Sequence, residues 1–147
     1  MAVIQWYPGH IAKAERELKK QLKNVDVVLE VLDARIPLAS QHPQVSQWGG
    51  NKPRLLVVNR QDMIPETLHS QWIAWFQHQG LQPYLTDAQQ GTGIKPLLKA
   101  AQKAGEAMNE KRRKRGMRDR AVRAVVIGFP NVGKSALINR LVGRKVV

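Results

Sequence analysis

The chain has 147 residues, 43 % of them hydrophobic, which suits one domain with an apolar core. It has no cysteine, which excludes disulfides and thiolate metal sites. Its 24 Lys+Arg against 11 Asp+Glu leave a net charge of +13, an excess that favours polyanionic partners such as nucleic acid.

No apolar run reaches the ~18 residues of a membrane-spanning helix, and residues 1–10 lack the charged and apolar regions of a signal peptide. A soluble, cytoplasmic protein is the expectation. Ile11, Leu18 and Leu22 share one stripe at helical spacing, with Ala14 between, while Lys13, Arg16, Lys19, Lys20 and Lys23 take the other faces. This predicts an amphipathic helix over 12–23. Residues 25–32 are almost continuously apolar and β-branched, as in a strand covered on both faces, and Asp33-Ala34-Arg35-Ile36-Pro37 ends the run. A second such strand spans 55–58 and closes on Asn59-Arg60-Gln61-Asp62.

Leu68, Trp72, Trp75 and Phe76 mark a helix over 66–79 that stops at Gly80, with its aromatic residues expected in the core. A short strand over 82–86 leads to Asp87-Ala88. A long helix follows over 94–115, its last turns basic, then a fourth strand over 122–127 and a short helix over 136–142. Strands alternating with helices predict an α/β fold: a parallel sheet with helices on both faces. Ligands of such sheets sit beyond the carboxyl ends of the strands. Asp33, residues 59–62, Asp87-Ala88 and residues 128–135 all fall there, which predicts one shared site.

Gly128-Phe129-Pro130-Asn131-Val132-Gly133-Lys134-Ser135 fits G-x-x-x-x-G-K-[ST] in full. The strand before it and the helix after it are the context a phosphate-binding loop needs. In that reading the backbone of Asn131, Val132, Gly133 and Ala136 cradles phosphate oxygens at a helix N-terminus. Lys134 reaches the β- and γ-phosphates, and the Ser135 hydroxyl ligates Mg²⁺. A glycine-rich strand-to-helix turn is the bland alternative.

Charge is concentrated in 111–123, with eight Lys/Arg against Asp119 alone. Lys111, Arg112, Arg113, Lys114 and Arg115 are the candidate RNA contacts, since arginine forks suit phosphates. A solvated helix face or linker is the competing reading. A lipid surface is disfavoured because no apolar face accompanies the run.

Asn59-Arg60-Gln61-Asp62 resembles the N-K-x-D element with which GTPases recognise guanine. A carboxylate at Asp62 would accept from the guanine N1–H and N2–H₂ edge, which adenine cannot supply, and this speaks against an adenine-specific ATPase. Asn59 would accept from the base and tie this loop to the phosphate loop. Arg60 stands where the family has lysine; its aliphatic stem can cover the base plane similarly. Taken alone, these residues also suit an ordinary strand-ending turn. Asp87-Ala88 falls where GTPases have S-A, so that a backbone N–H meets guanine O6; Ala88 matches and Asp87 departs.

The guanine-side elements precede the phosphate loop, the reverse of ordinary GTPases. With residues 6–14 (Trp6-Tyr7-Pro8-Gly9-His10 and onward) and Asp33-Ala34-Arg35-Ile36-Pro37, the chain resembles the YlqF-type circularly permuted GTPases along its whole length. The resemblance implies GTP binding and hydrolysis with Mg²⁺, and a role in assembly of the large ribosomal subunit through rRNA contact. A monomer is the expectation.

Members of that family continue with a D-x-x-G element and a helical domain. None of Asp26, Asp33, Asp62, Asp87 and Asp119 begins a D-x-x-G. The expectation is therefore an incomplete GTPase domain over 1–147 with very weak turnover. A guanine-nucleotide-responsive RNA-binding module is the alternative. The strand over 122–127 is expected at an exposed, aggregation-prone edge. His10 reads either as a surface or capping residue or as a catalytic group that orients the attacking water in place of the usual glutamine. Trp6 and Tyr7 read as packing residues, and Asp33 and Arg35 as either active-site or loop-bracing.

Overall fold

The computed structural model describes residues 4–10, 15–41, 52–129 and 132–143. In chain order these form β1 (Ile4–His10), α1 (Glu15–Lys23), β2 (Val27–Asp33) and β3 (Arg54–Asn59). A 3₁₀ turn at Gln61–Met63 follows, then α2 (Glu66–His78), β4 (Pro83–Thr86), α3 (Ile94–Lys114), β5 (Val122–Gly128) and α4 (Lys134–Val142). The five strands make one parallel sheet in the order β1-β5-β2-β3-β4.

Each predicted strand and helix is present, with ends moved by a residue or a few. The start of the helix expected over 12–23 lies outside the described residues. The sheet is parallel because β2, β3 and β5 are apolar on both faces, and helices must cover both. Val27, Leu29, Val31, Ala124 and Val126 point to one face, where Leu97 of α3 and Leu137, Ile138 and Leu141 of α4 bury them. The alternate residues form two clusters on the other face. Leu22 of α1 covers Val28, Val125 and Ile127, and Phe76 of α2 covers Leu32, Leu56 and Val58.

The strand over 122–127 is not an edge: β1 pairs with β5 along its whole length, from Ile4↔Val122 to His10↔Gly128. β1 carries Pro8-Gly9 within its span. Proline removes one ladder donor, which an edge strand tolerates, and β1 is that edge. Trp6 packs against the core, but Tyr7 is exposed and donates to Gln5 Oε1 at 3.0 Å. The aromatic trio of α2 divides similarly: Phe76 is fully buried, Trp72 packs beside it, and Trp75 is 40 % exposed.

α3 presents Ile94, Leu97, Ala101, Gly105 and Asn109 inward at steps of three and four residues. A Cβ on Gly105 would lie 2.5 Å from both γ-carbons of Val122, so glycine sets how closely α3 approaches β5. Asn109 is buried and exchanges two hydrogen bonds with the Arg120 backbone, at 3.0 and 3.1 Å, pinning the connector that leads into β5.

Between the two clusters of the α1/α2 face lies Glu30, 1 % exposed in the middle of β2. Its Oε1 accepts from Gln41 at 3.4 Å, its Oε2 has no hydrogen-bond partner, and Arg54 stands 3.9 Å away. Burial pushes this carboxyl above the ordinary glutamate range, against the weaker pull of Arg54 and Gln41.

Two variants test this packing. Gly105→Ala should destabilise the fold by about 1–3 kcal/mol, the usual cost of overpacking, as read by urea denaturation. Glu30 holds its proton more tightly folded than unfolded, so it subtracts stability as pH rises through its raised pKa. Glu30→Gln should therefore raise the melting temperature by a few degrees at neutral pH and have little effect near pH 4; an equal shift at both pH values would contradict the assignment.

Candidate nucleotide-binding site

The candidate residues converge at the carboxyl edge of the sheet. In-register pairing aligns Asp33 with Asn59 and Asn59 with Thr86, while Gly128 ends β5 beside His10. Asn59 is 2 % exposed and joins the loops. Its Nδ2 donates to the Val132 carbonyl at 3.0 Å. Its Oδ1 accepts from Thr86 Oγ1 at 2.9 Å and from the Ala88 N–H at 3.2 Å. The expected tie to the phosphate loop is present. Both lone pairs of Oδ1 are used inside the protein, so Asn59 is the brace rather than a base acceptor. The Ala88 N–H, expected at guanine O6, points to Asn59.

Gly133 lies against this brace at φ 88°, where a Cβ would meet Asn59 Nδ2 at 2.5 Å. Only glycine takes that conformation at so close an approach. It precedes α4, whose first turn carries Lys134, Ser135 and Ala136 with their backbone at a helix N-terminus. Ser135 and Ala136 are exposed, and Val132 is buried. Burial pushes the Lys134 amine below the ordinary lysine range, and an anion seated in the loop would push it back up. Pro130 and Asn131 lie outside the described residues, as does the His10 side chain.

On the guanine side, Arg60 sits in the left-handed region at φ 66°, the one described non-glycine residue with positive φ. Such strain persists only where surroundings enforce it. Its guanidinium Nη1 is 3.7 Å from Asp33 Oδ2. Asp33 is buried and holds Arg35 more closely, with Arg35 Nη2 at 2.7 Å, Nε at 3.1 Å and the Arg35 N–H at 2.9 Å. Hydrogen bonds from Arg35 hold the Asp33 carboxyl below the usual aspartate range. In this structure the contacts of the two residues brace the loop: Asp33 anchors the turn after β2 and reaches Arg60.

Asp62 lies exposed on the 3₁₀ turn beside half-buried Gln61. From α2, His69 Nε2 lies 2.7 Å from the Gln61 carbonyl of the same turn. Asp87 differs from expectation. It is buried, and its Oδ1 caps the N–H groups of Gln89 and Gln90 at 3.0 and 3.1 Å. Its carboxylate shapes the loop from within.

Sequence reasoning missed Arg140. From α4 its Nε donates to the Ala88 carbonyl at 2.8 Å and its Nη2 to the Gln89 carbonyl. An arginine six residues past the motif lysine gives no sequence signal, because its partner loop lies some fifty residues earlier.

The fold and the site define a P-loop GTPase-like α/β domain in which the guanine-side loops precede the phosphate loop. The family described as 50S ribosome-binding GTPase matches residues 123–147. The chain is 44 % identical over 144 residues to ribosome biogenesis GTPase A of Bacillus cereus, covering 98 % of this chain and 49 % of that protein. It is 36 % identical over 140 residues to mitochondrial ribosome-associated GTPase 1 of Mus musculus, covering 95 % and 42 %. The crystal structure of GNP-bound YlqF from T. maritima superposes with a TM-score of 0.66 at 32 % identity, covering 90 % of this chain and 49 % of that one. The chain is a homologue of the YlqF-type ribosome biogenesis GTPases and spans about half the length of the curated relatives it matches.

Removing the brace should uncouple the loops. Asn59→Ala leaves a carbonyl, a hydroxyl and an N–H unpaired, so it should weaken guanine-nucleotide binding more than tenfold and lower the melting temperature by several degrees. Arg140→Ala acts on one loop from a surface helix. It should weaken nucleotide binding by about tenfold with little change in melting temperature, both read by fluorescent-nucleotide titration and thermal denaturation.

Proposed function

We propose that this chain is the guanine-nucleotide-binding part of a GTPase that acts in assembly of the large ribosomal subunit. The observation that carries the reading is the Asn59 brace, which joins the N-R-x-D loop, the Ala88 loop and the phosphate loop into one site. GTP or GDP would sit with its phosphates against Val132, Gly133, Lys134, Ser135 and Ala136, with Asn131 in the same loop. Its base would lie between Arg60 and the 87–88 loop, with Gln61 beside it and Asp62 on the guanine edge. The exposed Ser135 hydroxyl in the first turn of α4 suits a Mg²⁺ ligand, alongside the nucleotide's own phosphates.

Lys134 would stabilise charge on the transferring phosphoryl group. His10 is the catalytic candidate for orienting water. Its backbone pairing with Gly128, the first residue of the phosphate loop, supports that role. The exposed basic end of α3, at Lys111, Arg113, Lys114 and Arg115 with half-buried Arg112, would contact rRNA. Among the described residues no helix is long and apolar enough to cross a membrane. The protein would act in the cytoplasm, as a monomer. A second reading, supported by the Lys/Arg-rich end of α3, is a nucleotide-responsive RNA-binding module with little or no turnover.

Fluorescent GDP, titrated in Mg²⁺ with excess GDP, GTP or ATP, tests the first reading. Displacement by guanine nucleotides alone is expected; equal displacement by ATP, or no binding by the folded chain, would overturn it. His10→Ala should lower any slow GTP hydrolysis at least tenfold while leaving GDP affinity unchanged. A proportional loss of both would point to a structural role.

A further inference from the structure

A cleft of about 810 Å³ opens at the amino edge of the sheet, opposite the nucleotide loops. One wall is the last turns of α3, the other is the end of α1, and the floor is the chain entering β2 and β3. Its volume lies within the ~300–1,000 Å³ range of small-ligand sites.

Five cations line it: Lys23, Lys52, Lys111, Arg112 and Arg115. Among the described lining residues Asp26 is the one carboxylate, and it is already engaged. Arg120 grips it with two hydrogen bonds of 2.9 Å, and the Arg123 N–H donates to it at 2.8 Å. The cleft therefore presents uncompensated positive charge to a ligand.

The cleft is also apolar inside. Ala104, Ala107 and Met108 form the α3 wall, and Pro53 faces them from the floor. Met117 completes it, 43 % exposed. It is carried there by the end of α3, where the Gly116 N–H donates to the Arg113 carbonyl at 3.0 Å and the Met117 N–H to the Arg112 carbonyl at 2.9 Å. This is the Schellman pattern, which turns the chain back on the helix. Arg112 Nε also donates to the Arg118 carbonyl at 2.9 Å, which fixes one cation of the rim.

A concave, apolar interior with a cationic rim suits a flat apolar group that carries a phosphate. Duplex RNA offers phosphates on a convex surface and keeps its bases stacked inside. Single-stranded RNA can splay a base into a pocket while its phosphates meet arginine forks. Methionine thioethers pack well against the edges of such rings. We propose that this cleft takes one unstacked nucleotide of single-stranded RNA, its base between Met108, Met117 and Pro53 and its phosphates on Lys111, Arg112 and Arg115. The proposal rests on the reading of the α3 end as an RNA contact, and deepens it from a charged patch to a nucleotide pocket.

Fluorescence anisotropy with a labelled single-stranded RNA dodecamer and a duplex of the same sequence tests it on this chain. Ala107→Trp fills the cleft from an exposed helical position without changing charge. It should weaken single-strand binding by about tenfold and leave duplex and GDP binding unaltered. Met117→Ala, which removes one side of the base slot, should act in the same direction. Neutralising Lys111 and Arg115 to Gln should weaken both RNA forms and lower the salt dependence. Unchanged single-strand affinity in both Ala107→Trp and Met117→Ala would overturn the pocket while leaving the RNA contact standing. Displacement of the RNA by polyglutamate at equal charge concentration would assign the cleft to acidic peptides instead. No RNA binding by the wild-type chain would overturn both readings.

Discussion

One buried amide, Asn59, organises the nucleotide end of this protein. A polar group so deeply buried must have its partners inside, and it finds them on two loops remote in sequence, at Thr86-Ala88 and at Val132. Each loop's conformation is therefore conditional on the others. The constraint extends to Gly133, where the brace leaves no space for a side chain. Arg140 closes the arrangement from the far side by holding the carbonyls of Ala88 and Gln89. The site is a set of loops fastened to one another above a rigid sheet edge.

The sheet supplies that rigidity. Its inner strands are buried on both faces, with α3 and α4 on one side and α1 and α2 on the other. The charge left inside this packing is Glu30, placed where the two clusters of the α1/α2 face part company. Pairing of β1 with β5 gives the phosphate-loop strand a neighbour on each side, so the loop rises from an internal strand.

α3 links the two ends of the molecule. Its 21 residues span roughly 31 Å, from the guanine-side loop to the cationic cleft. Gly105 seats it on Val122, and Asn109 fastens the connector beyond it. The basic residues gathered in 111–123 thus do separate work. Arg120 closes on Asp26, Arg113 pairs with Asp119, and Lys111, Arg112 and Arg115 line the cleft. A count of charge along the chain treats them alike; their partners distinguish them.

The strands and helices from α1 onward, and the sequence motifs between them, were legible in the sequence because each rests on local signals. Apolar runs covered on both faces, helical stripes and glycine spacing are set by residues near one another in the chain. The pairing of residues 4–10 with β5, the exposure of Tyr7 and Asp62, the inward turn of Asp87 and the grip of Arg140 on the Ala88 loop were not legible. Each depends on which distant segment comes to lie alongside. The sequence by itself determined the kind of fold and the motifs at its carboxyl edge. Only the tertiary structure decided which polar groups those motifs spend on one another, because a buried hydrogen bond is defined by the neighbour that folding supplies.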